Sequence, residues 1–242
     1  MGVIRAFTAL VLLAGIGGAQ PALAEVAKIR YLKMEPLAQY LMPDRAAEIA
    51  LARKAAPDSI SRDADVLVLG PHGFQTAVKG KNGFACMVAR SWTSAADPDF
   101  WDPKVRVPMC FNPAAARSFL PNYLKRTDLI LAGQSKEQAG AAIIAAIQKG
   151  ELPAMEAGAM CYMQSKEGYG GDTVPHWPPH LMFFLPEVDV AFWGANLPGS
   201  PVFAIRDSAE HVTQFVVAVE QWSDGTRAAP AAQLPATDSH SH

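Results

Sequence analysis

The stretch Gly158–Pro186, GAMCYMQSKEGYGGDTVPHWPPHLMFFLP, concentrates the residue types that could do chemistry. His176 and His180 stand four apart around Trp177-Pro178-Pro179. That is the spacing of a zinc-binding helix, but two prolines forbid an ordinary helix there, and no glutamate follows His176. Two histidines on a stiff, extended turn could still converge on a divalent metal, with Asp172 or Glu167 adding a carboxylate. The other reading is a ligand-binding loop, with Trp177 as anchor and His176, His180, Tyr169 and Asp172 around it. The glycines at 168, 170 and 171 would permit close approach of a ligand or a mobile flap.

Four other constellations point elsewhere. Each cysteine has a methionine neighbour (Cys86-Met87, Met109-Cys110, Met160-Cys161-Tyr162-Met163), a soft donor set that would suit Cu(I). Strand alternation sends neighbours to opposite faces, which splits that set and leaves methionine as core filler. Asp97, Asp99 and Asp102 interleave with Phe100 and Trp101 in a loop that could bind a cation or stack a sugar. It lacks the central glycine and terminal glutamate of an EF-hand, and its Asp-Pro pairs read equally as turn formers with aromatic anchors. Cys161 beside His176 or His180 could act as a thiol nucleophile only if free and activated. No serine sits in a Gly-x-Ser-x-Gly elbow: the nearest string, Gly133-Gln134-Ser135-Lys136-Glu137, opens a capped helix.

The elements that would position these residues follow from pattern. Asp44 caps a helix over 44–56, ended by Pro57. Asn112-Pro113 opens a second helix to about Phe119, broken or kinked at Pro121. Ser135 with Gln138 forms a capping box for a third over 135–149, closed by Gly150. Residues 124–132 carry no decisive pattern. Strand-like runs cover 64–70, 74–81, 84–92, 105–111, 158–164, 180–186, 202–207 and 212–221. Asn82-Gly83 predicts a type I′ hairpin that puts Lys79 opposite Cys86 and Val78 opposite Met87. About seven strands and three helices imply a single α+β domain, its sheet largely antiparallel with the helices packed on it.

The ends and composition bound the class. Arg5, the apolar run Phe7–Ile16 and Ala22-Leu23-Ala24 read as a secretory signal peptide over 1–24, cleaved before Glu25. The folded domain is expected over 25–226. The Ala/Pro/Gln/Ser stretch 227–242 has no reason to be ordered. These features place the protein outside the cytoplasm, periplasmic or secreted, with no integral membrane segment in the mature chain. A formal net charge of −2 with no basic cluster argues against nucleic acid as partner and leaves a small molecule or an envelope protein. Three cysteines in an oxidising compartment allow three disulfide pairings. Cys86–Cys110 is favoured, because both sit in strand runs separated by one loop.

The strings KGKNGFACMV (79–88), GAMCYMQSKEGYG (158–170) leading into HWPPHLMFFLP, NLPGSPV (196–202) and QWSDGT (221–226) resemble a group of uncharacterised exported bacterial proteins. The resemblance covers most of the mature chain and implies export, with no activity to carry over. The order of elements is also similar to that of extracytoplasmic sensor domains of the PAS or Cache kind, at the level of fold alone. The expectation is an exported protein that binds a small ligand or envelope partner near the 158–180 loop. The alternative is a metal-dependent hydrolase using His176 and His180. Whether the protein is an enzyme is not decided by any motif in it.

Overall fold

A computed structural model describes residues 31–229, so the signal peptide and the tail from Pro230 onward lie outside the described residues. Among the described residues, eight strands form one continuous sheet: β1 (Asp65–Gly70), β2 (Gly73–Val78), β3 (Ala85–Ala89), β4 (Val107–Phe111), β5 (Met160–Met163), β6 (His180–Pro186), β7 (Val202–Asp207) and β8 (Val212–Ala218). Their spatial order is β2-β1-β3-β4-β5-β6-β8-β7, antiparallel at every pairing except β1 with β3. The described residues also form five α-helices, α1 (Arg45–Arg53), α2 (Asp58–Ser61), α3 (Pro113–Ser118), α4 (Leu120–Leu131) and α5 (Lys136–Gln148); α1, α3 and α4 pack on the sheet and α5 rests on α4. The α+β class with a largely antiparallel sheet is therefore as the pattern implied, with two more helices than expected.

The caps explain where the helices begin. Asp44 accepts from the Ala46 N–H, Asn112 from Ala115, and Ser135 and Gln138 exchange both bonds of the capping box. Pro121 does not end the second helical run. It sits in the first turn of α4, where its missing N–H costs nothing, so the chain bends at Phe119 and continues as helix through the undecided segment 124–132.

The predicted Asn82-Gly83 hairpin is corrected by the structure. β2 turns back from β1 through Pro71-His72 and pairs with it (Gly70 opposite Gly73, Val68 opposite Gln75), so Lys79 and Val78 do not face Cys86 and Met87. β1 lies between β2 and β3 because VLVL is apolar on both faces and is buried along its length, whereas β2 exposes Gln75 and Thr76 and suits an edge. Asn82 serves the crossover instead. Its Nδ2 donates to Ile60 O and its Oδ1 accepts from the Phe84 N–H, while the Lys81 N–H donates to Asp63 O.

Alternation sorts the sulfur atoms as expected. Met87, Met109, Cys161 and Met182 enter the main core with Phe111, Phe119, Tyr123 and Phe184, on the face that carries α3 and α4. Cys86 and Cys110 lie on the opposite face under α1, with Ala52, Ala55, Val66 and Val88. They are direct partners in the β3–β4 ladder and form the disulfide, leaving Cys161 free and buried. The sheet curves around α4. Phe119 and Tyr123 meet Phe111 of β4 and Phe184 of β6, and Arg126 reaches Glu210 in the β7–β8 turn. No helix among the described residues is long and apolar enough to cross a membrane.

The cross-strand disulfide closes a loop with a sequence separation of 24. Restricting the unfolded chain in this way gives a stabilisation of about 3 kcal/mol. The double substitution Cys86→Ala/Cys110→Ala should lower the urea unfolding free energy by about that amount and raise the m-value, because the unfolded chain is then less compact. A loss below about 1 kcal/mol would mean that the unfolded chain keeps these segments close without the bond.

Candidate functional site

The segment Ser165–Pro179 leaves β5, makes a broad turn over the ends of β4 and β6, and enters β6 at His180. It is held from two sides. On one side Tyr169 pairs with Arg106 through both backbone bonds, 2.9 and 2.8 Å. The Thr173 N–H donates to Asp99 Oδ2 at 2.8 Å. Gly171 adopts φ +118°, and a Cβ there would lie 2.4 Å from Asp99 Oδ2, so only glycine lets the turn close on that carboxylate. On the other side Lys166 pairs with Asp224 at 2.7 Å, the Ser223 N–H donates to Gln164 O, and the His176 ring lies 5.3 Å from that of Trp222. Glu167 pairs with Lys54 at the end of α1.

The acidic-aromatic loop is thus the buttress of the turn. Phe100 is buried and stacks edge-on with Trp101 at 4.7 Å, and Asp99 is committed to Thr173. Asp102 is buried and Lys104 lies 3.8 Å from it. Lys104 then bridges to the turn, donating to Asp172 at 2.8 Å and to the Tyr169 hydroxyl at 3.2 Å, 5.1 Å above the Tyr169 ring. Asp172 also accepts from the Tyr169 hydroxyl. The bonds to Asp172 and Tyr169 hold the Lys104 ammonium well above its ordinary pKa. Asp172 and Tyr169 therefore form a charged clasp with Lys104.

The two histidines differ. His180 is 3 % exposed, and burial lowers its pKa, so its imidazole is neutral. Its Nδ1 lies 2.7 Å from Pro178 O. His176 is exposed, with Nδ1 3.0 Å from Gly168 O. A carbonyl can only accept, so each Nδ1 is the donor, and the neutral ring of His180 keeps its lone pair on Nε2. Both rings, with Trp177, Tyr169, Met163, Ser165 and Pro108, line one cleft of about 30 Å³. That is room for an ordered water and far below the volume of an organic-ligand pocket. On the other side of the Trp177-Pro178-Pro179 turn a groove of about 330 Å³ opens, lined by Pro178, Ala218, Val219, Glu220, Arg227, Ala228 and Ala229. Ala228 donates its N–H to Glu220 O and Arg227 pairs with Glu220 at 3.4 Å. The first three residues of the expected disordered tail are thereby built into the groove wall.

Of the residues singled out from sequence, His176, Trp177, His180 and Tyr169 share the cleft, and Asp172 is drawn to Lys104 at its edge. Among the described residues no group of three or more His, Cys, Asp or Glu side chains is placed to hold a metal. Asp172 and Glu167, the carboxylates that could have completed a site, are bound to Lys104 and Lys54. Cys161 is no nucleophile: burial in the apolar core raises its pKa and keeps the thiol protonated. Lys104, Pro108, Trp222 and the groove residues 218–229 had no signal of their own, because they reach the turn only through pairing across the sheet. Comparison with protein-family models, with curated proteins and with solved structures returns no match.

The buttress carries a pH signature. Burial raises the Asp97 carboxyl from 3.8 to about 6. Its protonated form is favoured in the folded state, so its contribution is fully present below pH 3.8 and is lost as pH rises through 6. Asp97→Asn should remove a fall in stability on the order of 1–3 kcal/mol across that window. Urea titrations of both proteins through the window test this, and parallel curves would refute it.

Proposed function

We propose that this is an exported binding protein that engages a small ligand, or a small protruding group of an envelope partner, at the turn 165–180. The observation that carries the reading is that the Trp177-Pro178-Pro179 turn does not lie flat. It separates a narrow cleft lined by His176, His180, Trp177 and Tyr169 from a larger groove lined by Pro178, Ala218 and Val219 with Glu220 and Arg227, large enough for a small molecule. Salt bridges and backbone pairs on both sides hold the turn in place, which lowers the entropic cost of binding there. A ligand suited to both faces is apolar in body, with one hydrogen-bonding group for an imidazole of the cleft. The Cys86–Cys110 disulfide accords with an oxidising compartment, as the signal peptide and the resemblance to exported proteins imply.

NMR titration of the mature protein with a library of small amphiphilic fragments tests this. Shift changes should concentrate at residues 165–180 and 218–229 and weaken about tenfold or more in Trp177→Ala, the loss typical of an aromatic anchor. Fragments that bind elsewhere, or equally well to the variant, would remove the reading.

A metal-dependent hydrolase is the second reading, and one observation favours it: both histidines line the same cleft, each with Nδ1 at a backbone carbonyl as in metal-ligating histidines. The metal would draw its remaining ligands from water or substrate. Equilibrium dialysis against zinc should then show binding that His176→Ala and His180→Ala each abolish. Absent or unchanged binding leaves the first reading alone.

A further inference from the structure

The groove beside Pro178 is walled on one side by the last of the described residues. Val219 donates its N–H to Pro179 O on the β6 side of β8, so the carbonyl of the next residue, Glu220, points to the other side, where it accepts from the Ala228 N–H. Residues 227–229 thus run antiparallel to the end of β8, in the register set by the Gln221–Arg227 bridge. They take up the length of β8 that β7 leaves open, since β7 begins at Val202, opposite Val217. Continued, that register would bring residue 231 opposite Val217, a place that Val202 already holds. Pro230 has no N–H to give to a ladder either. The chain past Ala229 therefore has to leave the sheet, and Ala229 stands in the groove wall.

The groove and the segment that follows it match in chemistry. The lining is Pro178, Ala218, Val219, Ala228 and Ala229, with Glu220 and Arg227 paired to each other at 3.4 Å, so an uncharged occupant leaves that pair intact. Residues 230–236, Pro-Ala-Ala-Gln-Leu-Pro-Ala, carry no charge and one large apolar side chain, Leu234, between Pro230 and Pro235. A volume of about 330 Å³ is at the lower end of ligand pockets and suits one such side chain with its adjoining backbone. Proline-rich chain is stiff and extended, at about 3.1 Å per residue, and has little entropy to lose on docking. Leu234 is the fifth residue after Ala229, so it reaches no farther than about 16 Å from the wall it leaves. A segment tethered so closely is presented to the groove at an effective concentration on the order of millimolar.

We propose that residues 230–236 of this chain fold back over the groove, with Leu234 seated against Pro178 and Val219. The proposal rests on the reading of the groove as a ligand site and adds its regulation. The segment is a tethered competitor, and a ligand binds only the fraction of molecules from which it has lifted. A ligand confined to the cleft on the other side of the Trp177-Pro178-Pro179 turn would not meet it.

NMR of the full mature chain tests it, comparing the wild type with Leu234→Asp, a substitution that removes nothing from the described core. The amide signals of residues 218–220 and 227–229 should shift while the rest of the spectrum stays in place. A synthetic Pro-Ala-Ala-Gln-Leu-Pro-Ala peptide, added at millimolar concentration to Leu234→Asp, should move those amides back towards their wild-type positions. Amphiphilic fragments that bind the groove should gain about tenfold or more in affinity in Leu234→Asp, tenfold corresponding to a groove filled in about nine molecules of ten. Groove amides that superimpose in the two proteins, or equal fragment affinity at the groove in both, overturn the proposal and leave the ligand reading standing wherever fragments bind. Groove amides that respond to Leu234→Asp and to the peptide, with no fragment bound at either side of the turn, uphold the docked segment and remove the ligand reading instead.

Discussion

The guanidinium of Arg90 is the constraint around which the first half of the molecule closes. It is fully buried, donating from Nε to Tyr40 O at 2.7 Å, from Nη1 to Val88 O, and from Nη2 to Glu48 Oε1 at 2.8 Å. Glu48, itself buried on α1, also accepts from the Leu69 N–H of β1 at 3.2 Å. One ion pair thus joins the N-terminal segment, α1, β1 and the end of β3. Such a pair gains little over a well-packed apolar substitute, but loss of either partner strands a charge in the core, typically at about 3–5 kcal/mol. Its bonds fix α1 against β1 and the end of β3. The ring of Tyr40 against Trp92, with the Tyr40 hydroxyl donating to Trp101 O at 2.8 Å, carries that placement into the loop that buttresses the site.

A second buried pair ties the halves together. Arg126 in the middle of α4 donates to Glu210 in the β7–β8 turn, and both are largely inaccessible. Because α4 also rests on β2 at the opposite edge of the sheet, this contact requires the sheet to curve around the helix. The concave face receives the aromatic stack of Phe111, Phe119, Tyr123 and Phe184. The convex face is left to whatever else the chain can supply.

How much of this the residues announce depends on whether the cause is local. Helix caps, the strand 180–186, the alternation that separates Cys86 from Met87 and the Cys86–Cys110 pairing all rest on neighbours in sequence or one loop apart, and they are legible. The strand order is not. Asn82-Gly83 is a strong local turn signal, yet the greater apolarity of β1 puts that strand between the two that the turn would have joined. Asp65 and Asp63 then capture the loop, accepting from the Gly80 N–H and the Lys81 N–H. The site shows the same division. His176, Trp177, Tyr169 and His180 can be gathered from one stretch, and the double proline there excludes the helical zinc motif. Asp172 is no ligand in waiting, because Lys104, sixty-eight positions away in the chain, claims its carboxylate. Nothing in the spacing of a lysine at 104 could say so.

The unequal cover of the sheet explains where function can reside. In the half built from β1, β3 and β4 both faces are sealed by helices, a disulfide spans the ladder and the buried Arg90–Glu48 pair is satisfied; that half supplies rigidity and offers no surface. In the half built from β5 to β8 the convex face is roofed by a loop alone, and the strand ends are left to turns. The cleft, the groove beside Pro178 and the exposed Phe192 all belong to this half. A recognition surface needs apolar and polar groups that the fold has not already used, held still enough that binding does not have to order them. Here the stillness is borrowed from the sealed half, through Asp99, Lys104 and Arg106 on one side of the turn and Lys54 on the other, and the unused groups sit where no helix was available to cover them.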